Sequence, residues 1–375
     1  MKNPFPVGIP AKSDDLIGRE KELESISKML MSGQSVILIS PRRYGKTSLS
    51  LEILRRLKKE GCYTLYLDIF SILDRYDLAR QITEKTLENK KIRNFSRMIR
   101  EKFATLLKSI EFKQVIEEFE FVLKFKDEGV DEWELLRETL NFPDKIGIKE
   151  NKKMVVVFDE FGDLAKLNGL ELLKLMRSIF QLQEKTSYLF TGSQESVMNE
   201  LFLSREQPFF RFGIIQNLNL LPLDRIRRYV EKKFSQEGIA INSEHTDFIA
   251  QKTKGHPYYT QLLCQRIYFN LLGKNTIEKE DIERAYLDAI LEERNFFEQL
   301  WTELLGKRHY RDALRTILFS KKPLYSIKEL KEINLSRILR GLKGKGIIKK
   351  TNQAYEIADP FFKEYLILRF SEKIL

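Results

Sequence analysis

Four consecutive apolar residues, Val36-Ile37-Leu38-Ile39, follow a stretch in which Leu23, Ile26 and Leu30 recur at helical spacing. The pattern predicts an extended leader, a short helix over 19–30 and then a buried strand. A polar loop and a second amphipathic stretch come next, predicting a helix that runs to about residue 59. Another strand is expected over 63–69, and the run Met154-Val155-Val156-Val157-Phe158 reads as a strand buried on both faces. A helix over 169–183, a strand over 187–191 and a fifth candidate strand over 214–220 complete the series. Strands alternating with helices predict a doubly wound α/β sheet with its ligand at the carboxyl ends of the strands. The helical patterns between the second and third strands, with a candidate strand over 119–125, exceed an ordinary crossover. Residues of about 88–150 therefore read as an insertion.

Beyond the sheet the pattern changes. Residues 223–305 read as helix throughout, broken at Gly238 and at Lys254-Gly255-His256-Pro257. From residue 310 onwards three short helices (311–319, 327–333 and 335–342), a hairpin over 346–357 and a closing helix suggest a winged helix. The expected domains are thus 1–222, 223–305 and 306–375.

The loop after the first strand reads Ser40-Pro41-Arg42-Arg43-Tyr44-Gly45-Lys46-Thr47-Ser48. Strand, loop and helix start form the arrangement that grips a nucleoside triphosphate, with backbone N–H groups converging on the β-phosphate. Lys46 is expected to reach the β/γ oxygens, and the Thr47 hydroxyl to ligate Mg²⁺. Ser40 stands where a glycine usually makes the tight exit from the strand. The third strand ends in Asp159-Glu160. Asp159 is expected to hold Mg²⁺ through water and Glu160 to polarise an attacking water. Asp163 reads as a helix cap or surface acid. The strand over 187–191 would deliver Ser193 or Gln194 beside the γ-phosphate; the alternative is a turn at Gly192 with Ser193 capping the next helix. Of Arg205 and Arg211, the second is favoured as an arginine able to stabilise the transferring phosphate, in its own subunit or a neighbour's.

Composition narrows the function classes. The 375 residues are 42% hydrophobic and 32% charged, which suits a soluble, cytoplasmic protein of two or three domains. No apolar run approaches the roughly 20 residues of a membrane span, and the start lacks the pattern of a signal peptide. Cys62 and Cys264 offer no disulfide framework, and the scattered His245, His256 and His309 argue against a zinc site. The net charge of +11 sits in one place: residues 307–350 hold 14 Lys/Arg against Asp312, Glu329 and Glu332.

Taken in order, Leu16-Ile17-Gly18-Arg19-Glu20-Lys21-Glu22-Leu23, the phosphate loop, Val157-Phe158-Asp159-Glu160-Phe161, Thr191-Gly192-Ser193, Lys254-Gly255-His256-Pro257-Tyr258-Tyr259 and Ala358-Asp359-Pro360-Phe361-Phe362 resemble the archaeal-type P-loop ATPases of the AAA+/STAND group. The resemblance implies a P-loop NTPase parallel sheet of the additional-strand type, an all-helical lid and a C-terminal winged helix. It further implies that Gly18 and Arg19 flank the adenine, that His256 and Pro257 face it from the lid, and that the nucleotide is ATP or ADP with Mg²⁺. Pro208-Phe209-Phe210-Arg211-Phe212 departs from the family's Pro-Leu-Tyr-Gly-Arg-like run, which weakens the assignment of Arg211.

In the basic module Arg337 and Arg340 share one face of the third helix, with Lys343, Lys345, Lys349 and Lys350 nearby. That face suits a DNA groove, with the lysines on phosphates. The expectation is an ATP-hydrolysing molecular switch that acts on DNA or a DNA-bound assembly, with oligomerisation on ATP binding as a corollary. The alternatives are a nucleotide-gated scaffold with little turnover whose winged helix grips a protein, and a DNA-binding regulator in which ATP supports the fold.

Overall fold

The computed structural model describes residues 3–89, 132–271, 273–306, 309–320, 334–351 and 354–371, with the backbone alone at Ala165. The candidate strand over 119–125 and the expected helix over 327–333 lie outside these residues. The chain divides into two compact units, residues 10–219 and residues 1–9 with 220–375.

The first unit is a parallel sheet. Strands β1 (Val36–Ile39), β2 (Tyr63–Asp68), β3 (Met154–Asp159), β4 (Thr186–Gly192) and β5 (Ile214–Asn217) stand in the order β2-β3-β4-β1-β5. β4 therefore inserts between the strand that enters the phosphate loop and the strand that ends in the acidic pair. Every described pairing in this sheet is parallel, with Asp68 opposite Asp159 and Ile39 opposite Gly192. β5 ends three residues before the expected boundary at 220. Helices α1 (Glu20–Met31), α2 (Lys46–Lys59), α3 (Arg75–Glu88), α4 (Glu132–Lys149), α5 (Gly169–Phe180) and α6 (Glu195–Leu203) complete the unit.

Side chains alternate across each strand, so β1, β3 and β4 each feed two cores. Ile37, Ile39, Leu65, Leu67, Val156, Phe158 and Phe190 join α3, α4 and α5 in one cluster. Val36, Leu38, Val155, Val157 and Leu189 join α1 and α2 in the other. The first cluster is rich in aromatic rings. Phe161 lies 4.6 Å from Phe190, 5.6 Å from Phe202 and 5.4 Å from Phe209. Such rings bury large apolar areas and hold defined geometries.

The second unit holds α7 (Leu223–Gln236), α8 (Ser243–Thr253), α9 (Pro257–Asn270), α10 (Lys279–Glu292), α11 (Arg294–Leu305), α12 (Tyr310–Phe319) and α13 (Leu335–Gly344). An antiparallel hairpin, β6 (Ile348–Thr351) and β7 (Ala354–Ile357), and a last helix, α14 (Pro360–Phe370), follow. The leader's first residues belong here: Phe5 is fully buried, 4.8 Å from Phe234, and its carbonyl accepts from Gln265 Nε2 at 2.9 Å. No helix among the described residues is long and apolar enough to cross a membrane.

The turn before α9 is tightly built. Lys254 and Gly255 both have positive φ, at 48° and 83°. His256 then caps the helix, its side chain accepting from the Tyr259 N–H, and Pro257 takes the first helical position. Asp359 caps α14 through the N–H groups of Phe361 and Phe362 and also accepts from Tyr259 Oη at 2.5 Å. The Tyr259 and Phe361 rings stack at 4.0 Å, so the starts of α9 and α14 form one buried joint. A Cβ on Gly255 would meet the Leu221 carbonyl oxygen at 2.5 Å. Gly255→Ala combines that clash with a disfavoured φ, and we expect a loss of about 2 kcal/mol or more. A thermal melt checks this; a midpoint equal to that of the unaltered protein contradicts it.

Candidate functional site

The loop between β1 and α2 is shaped by two left-handed positions, Arg43 (φ 66°) and Gly45 (φ 88°). Ser40 is not among the positive-φ residues, so a serine fits the strand exit without backbone strain. It is buried, and its carbonyl accepts from Lys46 Nζ at 2.8 Å. The Pro41 carbonyl accepts from the same ammonium at 2.9 Å. Lys46 thus spans the mouth of its own loop, while Pro41, Arg42 and Arg43 are exposed at the tip. The buried Ser48 hydroxyl accepts from the Ala11 N–H at 2.9 Å, which anchors the leader to α2.

Arg19 is 3% exposed and is spent on structure. Its guanidinium donates to the Tyr44 carbonyl at 3.3 Å, to the Asn219 carbonyl at 2.6 Å and to Glu22 at 3.0 Å. Burial pulls its pKa below the ordinary arginine value. It clasps the phosphate loop to the exit of the sheet. Gly18, just before it, has φ 59°, a conformation that glycine adopts freely.

Strand parity brings the acidic site together. Asp159, two residues beyond Val157, faces the α2 side of the sheet, as do Tyr66 and Thr191. Asp159 is 2% exposed and receives four donors. Thr47 Oγ1 donates to Oδ2 at 2.6 Å, and Tyr66 Oη donates to the same oxygen at 2.8 Å. On Oδ1 it accepts from Thr191 Oγ1 and from the Glu160 N–H at 3.1 Å. Burial, followed by the nearby Asp159 charge, pushes the Tyr66 phenol far above its ordinary pKa, which keeps it a donor. The Asp68 carboxyl also titrates high because it is buried, and its Oδ1 accepts from the Phe70 N–H.

Glu160 has φ 50°, a left-handed conformation that costs a non-glycine residue about 1–2 kcal/mol. That bend lets Phe161 enter the aromatic core while the Glu160 carboxylate stays at the site. Ser193 donates to Glu160 Oε2 through both its N–H and its hydroxyl, each at 2.9 Å. Its hydroxyl also accepts from Arg42 Nε at 3.4 Å. Ser193, rather than the exposed Gln194, therefore meets the acid, and its hydroxyl does not cap α6. Asp163 pairs with Lys166 at 3.0 Å. Arg205 and Arg211 are both exposed; Arg211 (φ 52°) lies over the Phe210 ring, away from the acid pair's contacts.

The donor set fits a magnesium ion. A hydroxyl and a carboxylate oxygen meet at the helix start beside the phosphate loop, and such hard oxygens, completed by water and phosphate, suit that cation. His256 and Pro257 belong to the other unit. So do Arg337, Arg340, Lys343, Lys345, Lys349 and Lys350, all exposed on α13, on the turn that follows it and on β6, with Lys349 3.7 Å from Glu356. Tyr66, the contact of Thr191 with Asp159 and the structural use of Arg19 escape a reading of motifs, although Thr191 itself stands in the Thr191-Gly192-Ser193 motif. Strand parity carries the signal for the first two, since each lies an even number of residues from a neighbour on the α2 side.

Burial lowers the Lys46 pKa to about 8, against the pull of Glu160 and Asp159 in the other direction. Only the ammonium form pairs with phosphate, so binding weakens as pH rises through that value. The expected loss in affinity for a nonhydrolysable triphosphate analogue between pH 7 and pH 9 is about tenfold. Titration calorimetry measures it, and a flat affinity over that range contradicts the assignment.

A sequence-family model described as "ATPase domain predominantly from Archaea" matches residues 16–263. The chain is 26% identical over 233 residues to a protein of Aquifex aeolicus (strain VF5) named "Probable DNA polymerase III subunit delta"; the match covers 58% of this chain and 64% of that protein's length. Among solved structures, the Walker-type ATPase PABY2304 of Pyrococcus abyssi aligns with a TM-score of 0.70 at 18% identity, over 97% of this chain and 99% of that one. The Aeropyrum pernix ORC2 protein, solved in ADPNP-ADP complexes, aligns with a TM-score of 0.53 at 12% identity, over 99% and 98%. These structural likenesses concern the fold. The family match covers well over half of the chain, and with the phosphate loop and the strand order it settles the assignment: the chain belongs to the predominantly archaeal ATPase-domain family and is an ATP-binding P-loop ATPase.

Proposed function

We propose that the protein is a magnesium-dependent ATP-hydrolysing switch whose nucleotide state is passed to the basic C-terminal region. The observation that carries this reading is the meeting of Thr47 with Asp159 at 2.6 Å, beside a Glu160 carboxylate held by Ser193. Lys46 exchanges its two loop carbonyls for β/γ-phosphate oxygens, and loop N–H groups from Gly45 to Ser48 cradle the β-phosphate. Thr47 and Asp159 hold the Mg²⁺, which when bound neutralises charge developing on the phosphates. Glu160 orients the attacking water, and Ser193 holds that carboxylate until nucleotide arrives. Arg211, exposed on its aromatic platform, supplies a charge to the site of a neighbouring copy.

The His256-Pro257 turn is the proposed nucleotide sensor, and the Tyr259–Asp359 joint is its link to α14 and the hairpin. The exposed Arg337, Arg340, Lys343, Lys345, Lys349 and Lys350 form the proposed DNA-facing surface of a winged helix. Two facts support DNA over a protein client: the chain's excess charge is concentrated there, and the curated relative is named as a DNA polymerase subunit. The double contact of Ser193 with Glu160 favours slow basal turnover, as a switch requires.

Glu160→Gln is expected to bind ATP with unchanged affinity and to lose turnover by about 10²-fold or more; phosphate release at the unaltered rate would remove Glu160 from the mechanism. Arg337→Ala with Arg340→Ala should weaken DNA retention and reduce the salt slope of binding by about 2. If neither retention nor slope changes, this surface does not serve DNA.

A further inference from the structure

The loop between β1 and α2 exposes Arg42 and Arg43 at its tip, and Arg42 turns back over the site. Its Nε donates to the Ser193 hydroxyl at 3.4 Å, and that hydroxyl donates to Glu160 Oε2 at 2.9 Å. A single hydroxyl thus separates the guanidinium from the carboxylate that orients the attacking water. We propose that Arg42 is a catalytic residue of its own chain, the cation that meets the γ-phosphate oxygens during transfer. The inference rests on the ATPase reading of Lys46 and Glu160, and it adds to the charge that Arg211 lends a neighbouring copy.

Three observations support it. First, Arg42 is uncommitted where the buried Arg19 is spent on the Tyr44 and Asn219 carbonyls. Among the described residues the Arg42 guanidinium makes the Ser193 hydrogen bond alone, through Nε, which leaves both terminal amines of its fork for phosphate oxygens. Second, acids crowd this place. Burial above all lowers the Lys46 pKa; Glu160, Asp159 and Glu195 raise it, and Arg42 adds to the lowering, so these charges lie within electrostatic reach of one another. A triphosphate tail set among three carboxylates is offset better by two protein cations than by one ammonium. Third, the contact lies on the γ side of the site. Ser193 follows β4 and holds Glu160, whereas the N–H groups assigned to the β-phosphate come later in the loop, from Gly45 to Ser48. In the transfer, the water oxygen bonds to the γ-phosphorus as the bond to the β–γ bridging oxygen breaks. ADP leaves with that electron pair and one water proton is released. Arg42 exchanges no proton and stabilises charge on the equatorial oxygens.

The test compares Arg42→Ala, Arg42→Gln and Arg42→Lys in the full chain, by turnover at saturating ATP and magnesium and by calorimetry with ADP. We expect Arg42→Ala to lose turnover by about 10²-fold or more. Its ADP affinity should stay within about twofold, since the γ-phosphate is absent from that ligand. Arg42→Gln keeps a donor for Ser193 without the charge and should be as slow. Arg42→Lys, a point charge in place of a fork, should recover part of the rate. Mixing Arg42→Ala with Lys46→Ala should restore nothing, because each lacks a part of its own site. An unaltered rate in Arg42→Ala overturns the inference, and so does one in Arg42→Gln, which would reduce Arg42 to a hydrogen-bond donor for Ser193. Loss of ADP binding to match the loss of turnover would make Arg42 a residue that shapes the loop, and recovery in the mixture would assign its charge to a neighbour's site; either result overturns the inference too. All four outcomes leave the ATPase reading standing, whereas an unaltered protein that hydrolyses no ATP overturns both.

Discussion

One buried carboxylate organises this ATPase core. Asp159 takes hydrogen bonds from the phosphate-loop helix through Thr47, from β2 through Tyr66, from β4 through Thr191 and from its own successor through the Glu160 N–H. A charge so deeply buried is tolerated only when its lone pairs are filled. Those four donors come from separate segments that the sheet order β2-β3-β4-β1-β5 sets side by side. Satisfying Asp159 therefore fixes the relative positions of the helix start, the acid pair and the sensor strand.

Around that tie, backbone strain is used sparingly and next to chemistry. Arg43 and Glu160 occupy left-handed conformations without being glycine. Each pays a local penalty that the surroundings offset: the aromatic cluster buries Phe161 and so holds Glu160 in its bend. The result is a rigid back wall and a front formed by Lys46, Thr47, Glu160 and Ser193, all held by hydrogen bonds that a nucleotide can replace. Preorganisation of this kind places charge before substrate arrives.

The legible parts of the molecule were those with local signals. An apolar strand, a loop with Gly45-Lys46-Thr47 and an amphipathic helix lie together in sequence, and β1 and α2 follow from them directly. Asp159-Glu160 ends an uninterrupted apolar run, and its place beside the loop follows from strand order. Tyr66 was hidden because β2 alternates buried and half-buried positions, and nothing in that alternation separates a packing tyrosine from a donor. Arg19 and Ser48, expected beside the nucleotide, also satisfy backbone groups that no local signal announces, because each meets a partner distant in sequence: Asn219 for Arg19 and Ala11 for Ser48. The leader's first residues were expected with the sheet, yet Phe5 packs on α7, an association that only a long-range apolar contact specifies. The strand end at Asn217 rather than 220 reflects ordinary fraying where β5 leaves its single neighbour, β1.

The central claim is that Lys46 and the Thr47–Asp159 pair serve one magnesium-bound triphosphate. A crystal structure with a nonhydrolysable ATP analogue and magnesium tests it most directly. The account predicts that Lys46 Nζ leaves the Ser40 and Pro41 carbonyls for phosphate oxygens and that a metal density appears beside the Thr47 hydroxyl and the Asp159 carboxylate. A triphosphate bound elsewhere, or bound here with Lys46 still on the Ser40 and Pro41 carbonyls and no metal beside Thr47, would contradict it.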